Sequence, residues 1–178
     1  MMNNKKFLII SSILFVAVLL FMSACSQTRL PVNKKTDDTA FPLDADGKTN
    51  RNVVLINNTE YSITPRKDPN GADLDESVTV SDSIDVKTDG ETVTVVLPQV
   101  SPVMTWRTDT DTNIVKQEEK NAIGDRKPLE GESGNIQIFT VKKPADGKTL
   151  CFKFVNINDA EKPFDEVVAA REITINIK

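Results

Sequence analysis

The chain of 178 residues contains no histidine. That absence removes Ser-His-Asp and Cys-His catalysis, imidazole-bound zinc and histidine-based pH switching. Cysteine is nearly absent too, with Cys25 and Cys151 alone. The seven glycines are scattered and none forms G-x-G-x-x-G, so no phosphate cradle is expected. Aromatic side chains are few, with Trp106 the single tryptophan and Tyr61 the single tyrosine. Positive charge is in deficit, 22 Lys and Arg against 26 Asp and Glu. Neither nucleic acid nor an anionic membrane face is an expected partner of an acidic domain.

One long hydrophobic run is present. Residues 7–22 are apolar except for Ser11 and Ser12, with Lys5 and Lys6 before them and the small residues Ser23 and Ala24 after them. A charged start, an apolar middle and small residues describe an export signal. The run is shorter than the ~20 residues that span a bilayer well. Met22-Ser23-Ala24-Cys25 resembles the bacterial lipobox, with Met22 where leucine is commoner. The resemblance implies cleavage before Cys25 and acylation of Cys25. Lipid chains contribute ~0.8 kcal/mol per buried CH₂, so two or three anchor firmly. The expected location is the bacterial cell envelope, outside the cytoplasm, with the membrane as a partner through the lipid. Left uncleaved, the segment would be an N-terminal anchor helix, and membrane attachment follows either way. Removal of residues 1–24 takes away Lys5 and Lys6 and no acid, which moves the net charge from −4 to −6.

Residues 25–52 read as a flexible tether: Thr, Asn, Lys, Asp and Pro dominate, and no period of 2 or 3.6 emerges. From residue 53 to 178 the pattern is β. Val93, Val95 and Leu97 share a face, as do Leu150, Phe152 and Phe154, and again Ile173, Ile175 and Ile177; Ile136 and Ile138 alternate with Gln137 and Phe139. Turn signals fall at Asn57-Asn58, Asn70-Gly71, Asp89-Gly90 and Asp146-Gly147, and Asp89-Gly90 reads as a hairpin. Helical turns are expected only at residues 167–171 and 117–122. Eight to ten short strands predict an all-β, antiparallel sandwich.

Candidate chemistry is sparse. The acid-rich residues 68–76 offer oxygen ligands for Ca²⁺, but Gly71 falls at the fourth rather than the sixth position of an EF-hand loop. Asp109 and Asp111 read as a solvated strand edge. No carboxylate pair stands out for glycoside hydrolysis. Cys151 lies in an alternating run and reads as a small core residue, with no histidine to activate it. Trp106 reads as core. Neither a catalytic residue, a metal nor a cofactor is expected.

From about residue 77 to 178, Leu97-Pro98, Pro102, Trp106, Gly131, Gly134, Lys143-Pro144 and Lys162-Pro163-Phe164 follow one another in an order that resembles the chagasin family of cysteine-protease inhibitors. A strand, the Asp89-Gly90 turn and a strand ending in Leu97-Pro98 come first. The loop Gln99, Val100, Ser101, Pro102, Val103, Met104 then leads to Trp106, with Val103 where the family has glycine. Gly131, Glu132, Ser133 and Gly134 occupy the place of a second, glycine-rich loop. Lys143-Pro144-Ala145-Asp146-Gly147 matches a family turn. Lys162, Pro163 and Phe164 stand nearest to an Arg-Pro-aromatic third loop. The resemblance implies an immunoglobulin-like sandwich whose three loops form a wedge for the cleft of a papain-like cysteine protease. It implies Phe164 as an apolar anchor and Lys162 as its cation. A non-inhibitory binding or structural lipoprotein on the same fold is the alternative.

Overall fold

The computed structural model describes residues 32–35, 41–109, 114–123, 129, 134–145 and 148–178. Among them ten strands form two sheets. They are β1 (Val32–Lys35), β2 (Val53–Ile56), β3 (Thr59–Ser62), β4 (Val80–Val86), β5 (Thr92–Gln99), β6 (Met104–Thr108), β7 (Ile114–Asn121), β8 (Asn135–Lys142), β9 (Thr149–Asn156) and β10 (Arg171–Ile177). One sheet has the order β1-β3-β2-β5-β8-β7 and the other β4-β10-β9-β6. The molecule is an all-β, immunoglobulin-like sandwich.

The period-2 pattern places the core. Val93, Val95, Leu97, Leu150, Phe152, Phe154, Ile173, Ile175 and Ile177 are all buried in one cluster between the sheets. Trp106 joins them from β6, its ring 4.9 Å from that of Phe154. Ile136 lies on the other face of β8, in a second cluster with Phe41, Val53, Leu55, Val96 and Ala122.

That second cluster corrects the expected tether of residues 25–52. The outer face of the six-stranded sheet carries apolar residues of its own, and the buried Phe41 covers them. The segment around it is ordered by a bridge between Leu43 and Thr49 and by the Asp44 carboxylate, which accepts the backbone N–H groups of Asp46 and Lys48. Farther back, β1 pairs with β3 at the sheet edge. The ordered domain therefore begins before residue 53. Residues 1–31, with Cys25, lie outside the described residues.

Three further expectations change. Asp89-Gly90 is not a hairpin: β4 belongs to the four-stranded sheet and β5 to the six-stranded one, so residues 87–91 cross between sheets. The sandwich is not wholly antiparallel, since β10 pairs with β4 in parallel from Arg171↔Val80 to Ile177↔Val86. Residues 117–121 are strand, not helix. There Glu118 sits between Lys116 at 2.9 Å and Lys120 at 3.8 Å, a charged row suited to an exposed edge. The region 167–170 is loop, and the described helical turn is a 3-10 turn at Ile157–Asp159. The Asn57-Asn58 turn holds: both residues have positive φ, and Ile56 faces Thr59 across a two-residue hairpin.

Candidate functional site

Strand register defines one end of the sandwich. Gln99, at the end of β5, faces Asn135 at the start of β8, and Asn121 of β7 faces the same residue. Met104, at the start of β6, faces Asn156 at the end of β9, and β10 starts beside it with Arg171 against Phe154. The connections 100–103, 122–134 and 157–170 therefore leave from the same end. The segment 63–79 starts there too, because β3 ends with Ser62 opposite Val53 and Arg171 faces Val80.

The first loop is only partly a surface feature. Met104 is buried in the core, Val100 packs against it, and the Gln99 side-chain amide donates to the Met104 carbonyl at 3.1 Å. Ser101 is half-buried, while Pro102 and Val103 are exposed. Of the second loop, Gly131, Glu132 and Ser133 lie outside the described residues. Gly134 closes its base by accepting the Ala122 N–H, and a side chain there would run into Ile123.

The third loop departs most from its expected role. Lys162, Pro163 and Phe164 fold back along the outer face of the four-stranded sheet. The Arg107 guanidinium donates to the Lys162 carbonyl at 2.7 Å, and Lys153 Nζ to the Phe164 carbonyl at 2.8 Å. Both cations also lie over the Phe164 ring, Lys153 at 4.6 Å and Arg107 at 5.9 Å from its centroid. Arg107 and Lys153 are register partners pointing away from the core. Phe164 is thus an anchor for its own loop rather than a free tip, and the Lys162 ammonium pairs with Asp159 at 2.7 Å.

Ile157 takes the exposed place. Its N–H donates to the Val103 carbonyl at 2.9 Å, so the two residues adjoin, 55% and 49% exposed. Val78, in the segment 63–79, and Val168, farther along the connection that holds Ile157, are exposed as well. The sequence signal for Ile157 is the apolar residue that follows β9 after Asn156, where alternation stops.

A buried ion pair holds this end together. Arg171 Nη1 lies 2.9 Å from Asp82 Oδ2, their side chains 6% and 9% exposed. Asp82 Oδ1 accepts both the N–H and the hydroxyl of Thr64, and Arg171 Nη2 donates to the Thr64 carbonyl at 2.7 Å. Burial pulls the Arg171 guanidinium below its usual pKa, and Asp82 opposes that pull. The network fastens segment 63–79 to β4 and β10. Its sequence signal is that Arg171 has the parity of Ile173, Ile175 and Ile177, which puts a cation on an inward face.

Between this segment and the open end of the core lies a cavity of about 240 Å³. Pro98, Met104, Trp106 and Phe154 form its apolar side, and Arg51, Arg66, Lys67 and Arg171 line the rest with Asp73 and Glu76. Asp73 is engaged by Lys67 at 2.8 Å, and that hydrogen bond holds its carboxyl below the usual range.

Two other carboxylates of residues 68–76 are engaged by their own loop. Asp68 Oδ1 accepts the N–H groups of Asn70 and Ala72, and Asp75 Oδ1 accepts the N–H and the hydroxyl of Ser77. Among the described residues no group of three or more metal-ligating side chains occurs. Asp109 is exposed, and Asp111 lies outside the described residues.

Cys151 is half-buried on the outer face rather than in the core. Burial, with Glu172 and Asp109 nearby, pushes its thiol up to about 12. Against an ordinary value of ~8.5, the thiolate at pH 8 is depleted by a factor on the order of 1,000. In a Cys25→Ser protein, alkylation of Cys151 by iodoacetamide at pH 8 is expected to be at least ~100-fold slower folded than in urea. Rates within tenfold of each other would contradict this environment.

No family model and no curated protein matches the chain. Among solved structures, the N-terminal domain of PorA is similar at 18% identity, with 70% of this chain and 97% of that chain covered and a TM-score of 0.23. A likeness that low bears on neither fold nor function. Among the described residues no helix is long and apolar enough to cross a membrane.

Proposed function

We propose that this chain is an exported lipoprotein, anchored in the bacterial cell envelope through Cys25, whose immunoglobulin-like domain binds a protein partner with its loop end. It works by presenting a surface, not by catalysis. The observation that carries the reading is the paired exposure of Val103 and Ile157 on adjoining loops. Apolar tips on a rigid scaffold suit binding at low ordering cost.

Inhibition of a papain-like cysteine protease is the narrower reading. It is favoured by the register Gln99↔Asn135, in which the residue before the first loop faces the residue after Gly134. In that case Val103 and Ile157, not Phe164, would be the anchors.

Two measurements test these readings. Cys25→Ser should abolish incorporation of a fatty-acid probe and release the protein from the membrane fraction. An unchanged distribution with continued labelling would refute the anchor at Cys25. The purified full-length protein should be titrated against a panel of papain-like proteases, beside Ile157→Asp. Inhibition lost at least thirtyfold in the variant, about 2 kcal/mol, supports the inhibitor. No inhibition by the wild type at ~10 μM, far above the nanomolar constants of good protein inhibitors, refutes it and leaves the non-inhibitory binding lipoprotein.

A further inference from the structure

We infer that the cavity at the loop end is a binding site for a carboxylate carried on one aromatic or branched apolar group, such as an N-acylated apolar amino acid or the C-terminal residue of a peptide. This goes beyond the exposed tip and does not depend on it.

Three observations converge. The first is size. A cavity of about 150 Å³ holds a benzene ring, so about 240 Å³ accommodates a ring together with a carboxylate. The second is polarity. Trp106, Phe154, Met104 and Pro98 offer an apolar wall, while Arg51, Arg66, Lys67 and Arg171 outnumber the acids Asp73 and Glu76. This excess of cations occurs in a chain whose net charge is −4.

The third observation is Arg66. The three other cations already have carboxylate partners here, Lys67 with Asp73 at 2.8 Å, Arg51 with Asp73 at 4.0 Å and Arg171 with Asp82 at 2.9 Å. Arg66 pairs with none among the described residues. Its Nη2 donates to the carbonyls of Asp75 and Val78, at 2.8 and 3.1 Å, which fixes the guanidinium in place. Its Nε is buried and makes no hydrogen bond. Buried donors are nearly always satisfied, and an orphan calls for a cause. A guanidinium that lines the cavity and is held in place by two carbonyls is preorganised for an acceptor, and a carboxylate is the acceptor it fits best.

Trp106 lines the cavity and is the chain's single tryptophan, so its fluorescence reports on occupancy. The full-length protein should be titrated with N-acetyl-phenylalanine, with its carboxamide, and with a six-residue glycine-serine peptide ending in phenylalanine, free or amidated. We expect saturable change with the free acids and at least tenfold weaker response to the amides. If only the acetylated amino acid responds, the source is a small metabolite; if the peptide binds more tightly, it is a chain terminus. Arg66→Gln should weaken the acids at least tenfold and leave the amides unchanged, and Arg66→Lys should restore part of the loss. No saturable response up to ~10 mM, equal binding of acid and amide, or an equal effect of Arg66→Gln on both would overturn the assignment. Melting curves of both variants separate a lost contact from a lost fold.

Discussion

Asp82→Ala is expected to destabilise the domain by about 3–5 kcal/mol, because it strands the Arg171 guanidinium inside the protein. The two side chains are almost fully enclosed, and Asp82 also satisfies the N–H and hydroxyl of Thr64. Removal of the carboxylate leaves a buried cation and two donors unmatched at once. In a domain of this size the loss corresponds to roughly 6–20 °C in melting temperature. Urea unfolding followed by far-UV circular dichroism measures it. The companion experiment is Asp82→Leu combined with Arg171→Met, which replaces the pair by apolar groups. That double variant should be more stable than Asp82→Ala, since the cost lies in the unpaired charge rather than in the loss of attraction. A loss below 1 kcal/mol for Asp82→Ala would mean that water reaches Arg171.

Trp106→Ala should cost about as much, 3–5 kcal/mol, for a different reason. Here the loss is packing. The ring is stacked at a tilt on Phe154, and its Nε1 donates to the Pro98 carbonyl at 3.0 Å. The backbone N–H of the same residue donates to the buried Gln137 side chain at 2.7 Å, which ties β6 across the core to β8. Trp106→Phe keeps most of the ring and forfeits the Pro98 contact, so a loss of about 1–2 kcal/mol is expected. Thermal melts of both variants decide the matter, and equal losses would show that the ring does not fill its site.

These two residues also show what could be read from the sequence. Trp106 was legible because it falls in an alternating run, and alternation reports which face a side chain takes. The same logic located the cores of β5, β9 and β10. Phe41 was not legible as a buried residue, because an isolated aromatic among polar residues has no period. Its burial is dictated by the outer apolar row of Val53, Leu55, Val96 and Ile136, distant in sequence. The misread Asp89-Gly90 hairpin has a similar origin. A turn signal states that the chain bends, not which sheet receives the next strand.

The candidate site was legible in outline and not in detail. The order of the three loops anticipates that the connections after β5, β7 and β9 leave from one end of the sandwich. Which side chain stands free there depends on outward-facing neighbours. Arg107 and Lys153 look like ordinary solvated residues in the sequence, yet together they capture Phe164 and leave Ile157 at the tip. Segment 63–79 shows only turns and acids in the sequence; its place beside the cavity depends on a pairing between residues 82 and 171 that no local pattern encodes.

The position of β10 has a consequence for how the chain acquires its structure. This strand lies in the interior of its sheet, between β4 and β9, although its partner β4 is about ninety residues earlier. The first half of that sheet must wait with an unpaired edge until Arg171–Ile177 arrives. Such distant pairing makes closure slow. During the interval β4 and β9 each present open backbone to any other extended chain. Loss of β10 should therefore leave a lone β4 and an open-edged β9–β6 pair rather than a trimmed sandwich, and this seven-residue strand acts as the latch between them.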